Sequence, residues 1–477
     1  MENNKTNEDE KKSKGELLKK ALFFEGKNTG KEFSDEDISK AFEYCAHYKR
    51  FLDQAKTERE VVVFSETQAK AHGFIPFDKT KKYEKGDKIY YVNRCKAIIL
   101  AVIGSRPLCD GVHMTASHID SPRLDLKQNP LYEESQLVQF KTHYYGGIKK
   151  YQWTAIPLAL HGVIIKKDGT KLTIRLGEDE GDPQFCVTDL LPHLAKDQMK
   201  KTMTEAVTGE SLNVLVGSLP FRDDKASELV KINILNLLNE KYGITEADFL
   251  SAELTMVPAF KAADIGFDRG LIGAYGHDDR VCAYPALTAL FDCGVPEYTC
   301  VCVLADKEET GSEGNTGLQS AYVKYFIADL ARQHGLAGRD VLSRSKCLSA
   351  DVNAAYDPNF PEVLEKRNAA YINYGVVISK FTGHGGKSDT NDASAEFTAE
   401  VIRLFDGKNV AWQMGELGKV DQGGGGTVAK YVADLDVDVI DVGVPVLSMH
   451  APFEVVSKLD VYTTYRAMLA FYTNIGI

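Results

Sequence analysis

Runs of apolar residues closed by a polar or charged group recur along the chain and set the reading of its fold. "KAIILAVIG" (96–104) and "GVHMTASHID" (111–120) come first. "YTCVCVLADKEE" (298–309), "KCLSADVN" (346–353), "NYGVVISKF" (373–381) and "IDVGVPVLSMH" (440–450) follow. Near-continuous apolar runs of this length predict strands buried on both faces of a sheet. Between them, apolar positions at helical spacing predict helices over 313–333 and 392–406, stopping before Gly335 and Gly407. A closing amphipathic helix is expected over 454–472. The alternation predicts an α/β domain with a mostly parallel sheet covered by helices.

The texture changes between 129 and 262. "GVIIKKDGTKLTIRLG" is two alternating runs joined around Asp168-Gly169, a hairpin signal. "HYYGGIKKYQWTAIPLALHG" is aromatic and β-prone, and "DFLSAELTMVPAF" alternates as a strand does. The expectation is a smaller β-rich domain at 129–262, inserted with its ends close together into a domain made of 1–128 and 263–477. Residues 1–16, "MENNKTNEDEKKSKGE", read as a solvated, mobile tail.

Composition narrows the classes of function. At 477 residues, two or three domains are expected. Asp and Glu number 68 against 57 Lys and Arg, a net charge of −11 that suits neither phosphate backbones nor anionic lipid. No stretch approaches the roughly 20 apolar residues of a membrane-spanning helix. Nine cysteines without a CxxC pair read as buried free thiols in a reducing compartment. A cytoplasmic protein with neither nucleic acid nor membrane as partner is expected.

Candidate chemistry collects where the apolar runs end. His118 and Asp120 are two apart, so on a strand they face the same way, and the carboxylate can hold one ring nitrogen while the other binds a metal. "GHDDR" supplies Asp278 and Asp279, and "DKEETGSEG" supplies Glu308 and Glu309. At a strand end, one acid of the Glu pair can bind metal while its neighbour acts as general base. "SADVN" adds Asp351 and "SMHAPFE" adds His450. The carboxyl edge is where open α/β sheets bind ligands. Two histidines with three carboxylates there predict a pair of divalent ions, zinc before others. Phosphate-loop, GxSxG and HExxH motifs are absent from the sequence.

These residues also carry a family resemblance. "SHIDSPRLDLK", "GHDDRVCAYPAL", "DKEETGSEG", "SADVNAAYDPNF" and "VGVPVLSMHAPFE", in this order, resemble the aspartyl aminopeptidase and vacuolar aminopeptidase I family of zinc metallopeptidases. The resemblance spans nearly the whole chain after the tail, and "YYGGIKKYQW" and "DLLPHLAKDQ" are similar to the family's bacterial branch. It implies a three-layer α/β/α peptidase domain interrupted by a β-rich dimerisation domain. It also implies two zinc ions per chain, with cobalt or manganese able to substitute. His118 and Asp351 would hold one metal and Glu309 and His450 the other, with Asp278 bridging. Glu308 would be the general base, Asp120 would orient His118, and Asp279 would be structural. His193 would reach into a neighbouring subunit's site and Lys380 would lie near the substrate. Dimers would join into a dodecamer whose sites face an internal chamber.

The expected function is removal of the N-terminal residue of peptides by a two-metal-activated water. A related binuclear deacylase or carboxypeptidase-like hydrolase is the alternative. A self-assembling scaffold with a vestigial site conflicts with every ligand position being filled.

Overall fold

The structure, a computed structural model, describes residues 13–474. Its centre is a nine-stranded sheet. The adjacent strands Thr299–Ala305, Val112–His118, Lys346–Ser349 and Asp438–Gly443 form its middle and run parallel. All four are buried nearly throughout. A parallel strand covered on both faces has no wet side, which is why these segments read as unbroken apolar runs. In the flanking strand Ala97–Val102, Ile98, Leu100 and Val102 enter one core while Ile99 and Ala101 enter the other. That is the two-residue period of a strand.

Helices complete an α/β/α sandwich. Asp35–Gln54, His277–Asp292, Ala395–Gly407 and Lys458–Tyr472 cover one face, and Tyr322–Arg332, Gly338–Leu342 and Ala429–Ala433 the other. The sheet is mostly parallel, as expected, including its edge pairs Ile75–Pro76 with Lys88–Asn93 and Val376–Ser379 with Trp412–Met414. Ala97–Val102 pairs antiparallel with both its neighbours, and Val376–Ser379 with Asp438–Gly443.

Two helices are shorter than their periodicity implies. The helix expected from 313 begins only at Tyr322; the residues before it form turns in which Gly317 packs against the main chain of Ser312, whose carbonyl accepts from the Gln319 N–H at 3.1 Å. The final helix begins at Lys458, because Glu454–Ser457 pairs as a strand with Leu271–Ala274. Ser457 Oγ then caps the helix, accepting from the N–H of Leu459 at 3.1 Å. Of the expected N-terminal tail, residues 1–12 lie outside the described residues. Lys14–Leu22 is helical, with Ser13 Oγ accepting from Glu16 N–H and Glu16 Oε2 from Ser13 N–H.

After His118 the chain leaves the first sheet for a seven-stranded antiparallel one. Its strands Arg123–Glu134 and Glu253–Pro258 are neighbours, with Leu124 opposite Met256, so the chain enters and leaves side by side. The sheet therefore spans 123–258, and the division expected at 128/129 falls inside its first strand. Asp168-Gly169 turns the hairpin Leu158–Ile165 with Lys171–Leu176, as read from the sequence.

A third, five-stranded sheet was not expected. It joins Ala263–Ile265, Leu271–Ala274, Glu454–Ser457, Pro445–Leu447 and Asn353–Ala354. It gathers the chain just before Asp278, just after Asp351 and on both sides of His450. No helix among the described residues is long and apolar enough to cross a membrane. All nine cysteines are free thiols, six of them buried.

Gly443 sits where Asp438–Gly443 passes the main chain of Asp351, and an added Cβ would collide with the Asp351 carbonyl oxygen. Gly443→Ala should therefore lower the unfolding free energy by about 1–3 kcal/mol in urea titrations. Gly407→Ala, at a helix end with open space around it, should cost nothing measurable in the same assay.

Candidate metal centre

His118 is the last residue of its strand, at the carboxyl edge of the nine-stranded sheet. Its Nδ1 lies 3.1 Å from the main-chain oxygen of Asp120 and 3.3 Å from Asp120 Oδ1. Oxygens of that kind accept, so Nδ1 carries a proton, and Nε2 is the nitrogen turned toward the acids, where either a second proton or a metal ion can sit. Nε2 faces Asp278 Oδ1 at 3.0 Å, Asp351 Oδ1 at 3.7 Å and Glu308 Oε2 at 3.8 Å. On the other side of the same carboxylate, Asp278 Oδ2 lies 3.2 Å from His450 Nε2, which lies 3.6 Å from Glu309 Oε2. His450 Nδ1 donates to the main-chain oxygen of Gly147 at 2.8 Å, so its Nε2 is likewise the nitrogen turned toward the acids.

Two groups result, His118–Asp278–Asp351 and Asp278–Glu309–His450, each with its donor atoms within 4.8 Å of one another. Donors about 3.3 Å apart form the edge of a tetrahedron with bonds of about 2.0 Å, the spacing of ligands sharing one zinc ion.

The acids reach this point by local geometry rather than as a strand end. Thr299–Ala305 stops before Asp306, and Glu308 and Glu309 lie on one short 3-10 turn, Glu308–Thr310. That turn is fixed by Asp120, whose Oδ1 accepts from Glu308 N–H and whose Oδ2 accepts from Glu309 N–H, each at 3.2 Å. Asp278 opens the helix His277–Asp292. Its N–H donates to Glu454 Oε2 at 3.0 Å, and its main-chain oxygen accepts from Ser121 Oγ at 2.6 Å. Asp279 turns away and accepts from the His118 N–H at 3.2 Å.

Burial sets the electrostatics. It pushes the Glu308 carboxyl up to about 7, and lifts Glu309 and Asp351 well above the ordinary carboxylate range. Burial also opposes ionisation of Asp278, but its hydrogen bonds to His118 and His450 prevail and hold it low. Against their own burial, both imidazoles are raised, His118 by Asp120 first and then by Asp278 and Asp351, and His450 by Asp278 and Glu309 up to about 11. The cluster has an excess of anionic groups and draws protons onto its histidines; a divalent cation answers the same demand.

Seven sequence-selected residues thus meet at one place: His118, Asp120, Asp278, Glu308, Glu309, Asp351 and His450. His193 and Lys380 stand apart from them in this chain. His193 is exposed, and Lys380 pairs with Asp392 at 3.4 Å. Sequence reading passed over Glu454, a buried acid pushed up to about 8 whose two oxygens accept from the N–H groups of Asp278 and His450. Its place four residues after His450, in "HAPFE", was the available signal. Tyr145, whose hydroxyl donates to Asp120 Oδ2 at 2.7 Å, was also passed over.

Residues 51–472 match the family described as aminopeptidase I zinc metalloprotease (M18). The chain belongs to that family. The protein of Clostridium acetobutylicum named "Probable M18 family aminopeptidase 1" is 48% identical over 461 residues, 95% of this chain and 99% of the relative. The crystal structure of an M18 aminopeptidase from Thermotoga maritima, 42% identical, superposes with a TM-score of 0.91 and covers 95% of this chain and 100% of that one. The mApe1 dodecamer of Saccharomyces cerevisiae shares the fold at 22% identity, with a TM-score of 0.73 over 90% of this chain and 95% of its own.

The residues present fit the zinc this family uses. Imidazole and carboxylate donors suit zinc, and Glu309 Oε1 is buried with no hydrogen-bond partner, a lone pair aimed at nothing else among the described residues. Zinc titrated into chelator-treated protein should therefore stabilise it, by roughly 2.7 kcal/mol at a hundred times Kd. Asp278→Asn, which alters both groups, should remove more of the rise in unfolding temperature than Asp351→Asn, as measured by scanning calorimetry.

Proposed function

We propose that this metal-dependent aminopeptidase works with two metal ions bridged by Asp278. The supporting observation is that its two carboxylate oxygens face two different imidazoles, Oδ1 toward His118 and Oδ2 toward His450. His118 and Asp351 would complete one position, and Glu309 and His450 the other. Zinc is the expected ion at both, with cobalt and manganese as substitutes that tolerate the same donors. Bound there, divalent ions supply Lewis acidity toward a peptide carbonyl and toward water.

The chain's own residues do the rest. Glu308 is the general base: it lies beside the cluster, 3.8 Å from His118 Nε2, belongs to neither ligand group, and is the more exposed of the Glu pair. Its carboxylate takes a proton from the attacking water and delivers it to the departing amine. Asp120 holds the Glu308 N–H and the His118 ring in fixed relation, so base and ligand move as one. The surplus of carboxylates attracts a cationic α-amine, which favours cleavage next to a free N-terminus.

The inserted sheet is proposed as the dimerisation domain. Leu190, Leu191, Leu194, Met199 and Met203 stand exposed on it, and apolar exposure of this extent marks an interface. Dimers would join into a dodecamer, as in the yeast relative, with His193 on this same exposed stretch serving a neighbour's site and Lys380 meeting substrate. Free thiols throughout suit a reducing cytoplasm.

Glu308→Gln should lower kcat about 10²–10⁴-fold with metal content unchanged, whereas Glu309→Gln should lose metal. Elemental analysis beside steady-state kinetics checks both, and the opposite pattern would exchange their roles. Light scattering of the full-length protein should give an assembly well above the 52.7 kDa of one chain; an active monomer would refute the proposed shared site.

A further inference from the structure

The strand Leu137–Tyr145 belongs to the inserted sheet, yet its end runs directly into the metal centre of the other domain. Three consecutive residues make the contact. The Tyr145 hydroxyl donates to Asp120 Oδ2 at 2.7 Å. Gly146 lies so near Glu309 that a Cβ there would stand 3.1 Å from Glu309 Oε2, and its φ of +75° favours glycine independently. The Gly147 main-chain oxygen accepts from His450 Nδ1 at 2.8 Å, and a Cβ at 147 would stand 3.3 Å from that same nitrogen.

Tyr145 is itself held. The Arg123 guanidinium lies 4.0 Å over its ring and is anchored by Glu58 at 3.1 Å and Asp125 at 2.8 Å. Arg123 opens the first strand of the inserted sheet, and Glu58 is in a helix of the peptidase domain. The phenol is thus clamped at the junction of the two domains.

We propose that Tyr145-Gly146-Gly147 is a positioning strap through which the inserted sheet completes the metal centre. Tyr145 is a positioning residue for Glu308, acting through Asp120, which holds the Glu308 and Glu309 N–H groups. Gly147 sets the tautomer and the orientation of His450, a role that second-layer partners of ligating histidines commonly play. The strap gives the inserted sheet a part in turnover separate from assembly. This inference rests on the proposed roles of Glu308, Glu309 and His450.

The test uses the full-length, zinc-loaded protein. Tyr145→Phe keeps the ring under Arg123 and removes only the hydroxyl. It should lower kcat about 10–100-fold with KM within about twofold, and leave metal content and assembly size unchanged. Gly147→Ala has an allowed backbone but crowds His450, and should weaken one of the two metal positions about 10–100-fold in competition with a chromophoric chelator. Tyr144→Phe, on the opposite side of the strand and partly exposed, should match wild type in both assays. Wild-type kcat in Tyr145→Phe, or unchanged metal affinity in Gly147→Ala, overturns the strap when Glu308→Gln is inactive. If Glu308→Gln itself keeps full turnover, the functional reading fails first and the strap falls with it.

Discussion

One buried carboxylate organises the centre. Asp120 is fully enclosed and accepts from four directions: the His118 ring, the Glu308 and Glu309 N–H groups and the Tyr145 hydroxyl. A buried charge without partners is costly, and here every lone-pair direction is used. Burial works against its ionisation, but His118, Tyr145 and the nearby charge of Arg123 keep it below the ordinary carboxylate range. The four partners come from three segments, so this single anion fixes a strand end, a 3-10 turn and the inserted sheet relative to one another. The spacing of the metal-facing atoms follows from that arrangement.

The rest of the centre repeats the principle at larger scale. Glu454 ties the Asp278 and His450 main chains together from below, and the five-stranded sheet brings its carrier strand there. Acids outnumber cations at this point, so close packing of the ligands depends on positive charge supplied by protons on His118 and His450 or by metal. The donor arrangement and the demand for a cation are two aspects of one geometry.

Much of this was legible in the chain. Buried parallel strands are written as apolar runs, and the polar residue that ends each run lies at the carboxyl edge, so His118, Glu308, Glu309, Asp351 and His450 stood out without reference to their contacts. The third sheet did not, because Asn353–Ala354 and Pro445–Leu447 are too short for any periodicity and pair across ninety-odd residues. Glu454, Tyr145 and Gly147 escaped for a related reason: they act on main-chain groups or on another acid far away in sequence, and such contacts leave no local pattern. The Glu pair was legible as chemistry but not as shape, since the expected strand end is a turn.

The order in which these parts appear along the chain governs when the enzyme can first act. The proposed ligands run from His118 to His450, and Glu454, which braces two of them, lies in the last strand before the final helix. During synthesis the chain emerges N-terminus first, so the Asp278–Glu309–His450 group lacks its histidine until 450 of the 477 residues are made. Closure of the donor set thus waits on the last strands of the fold.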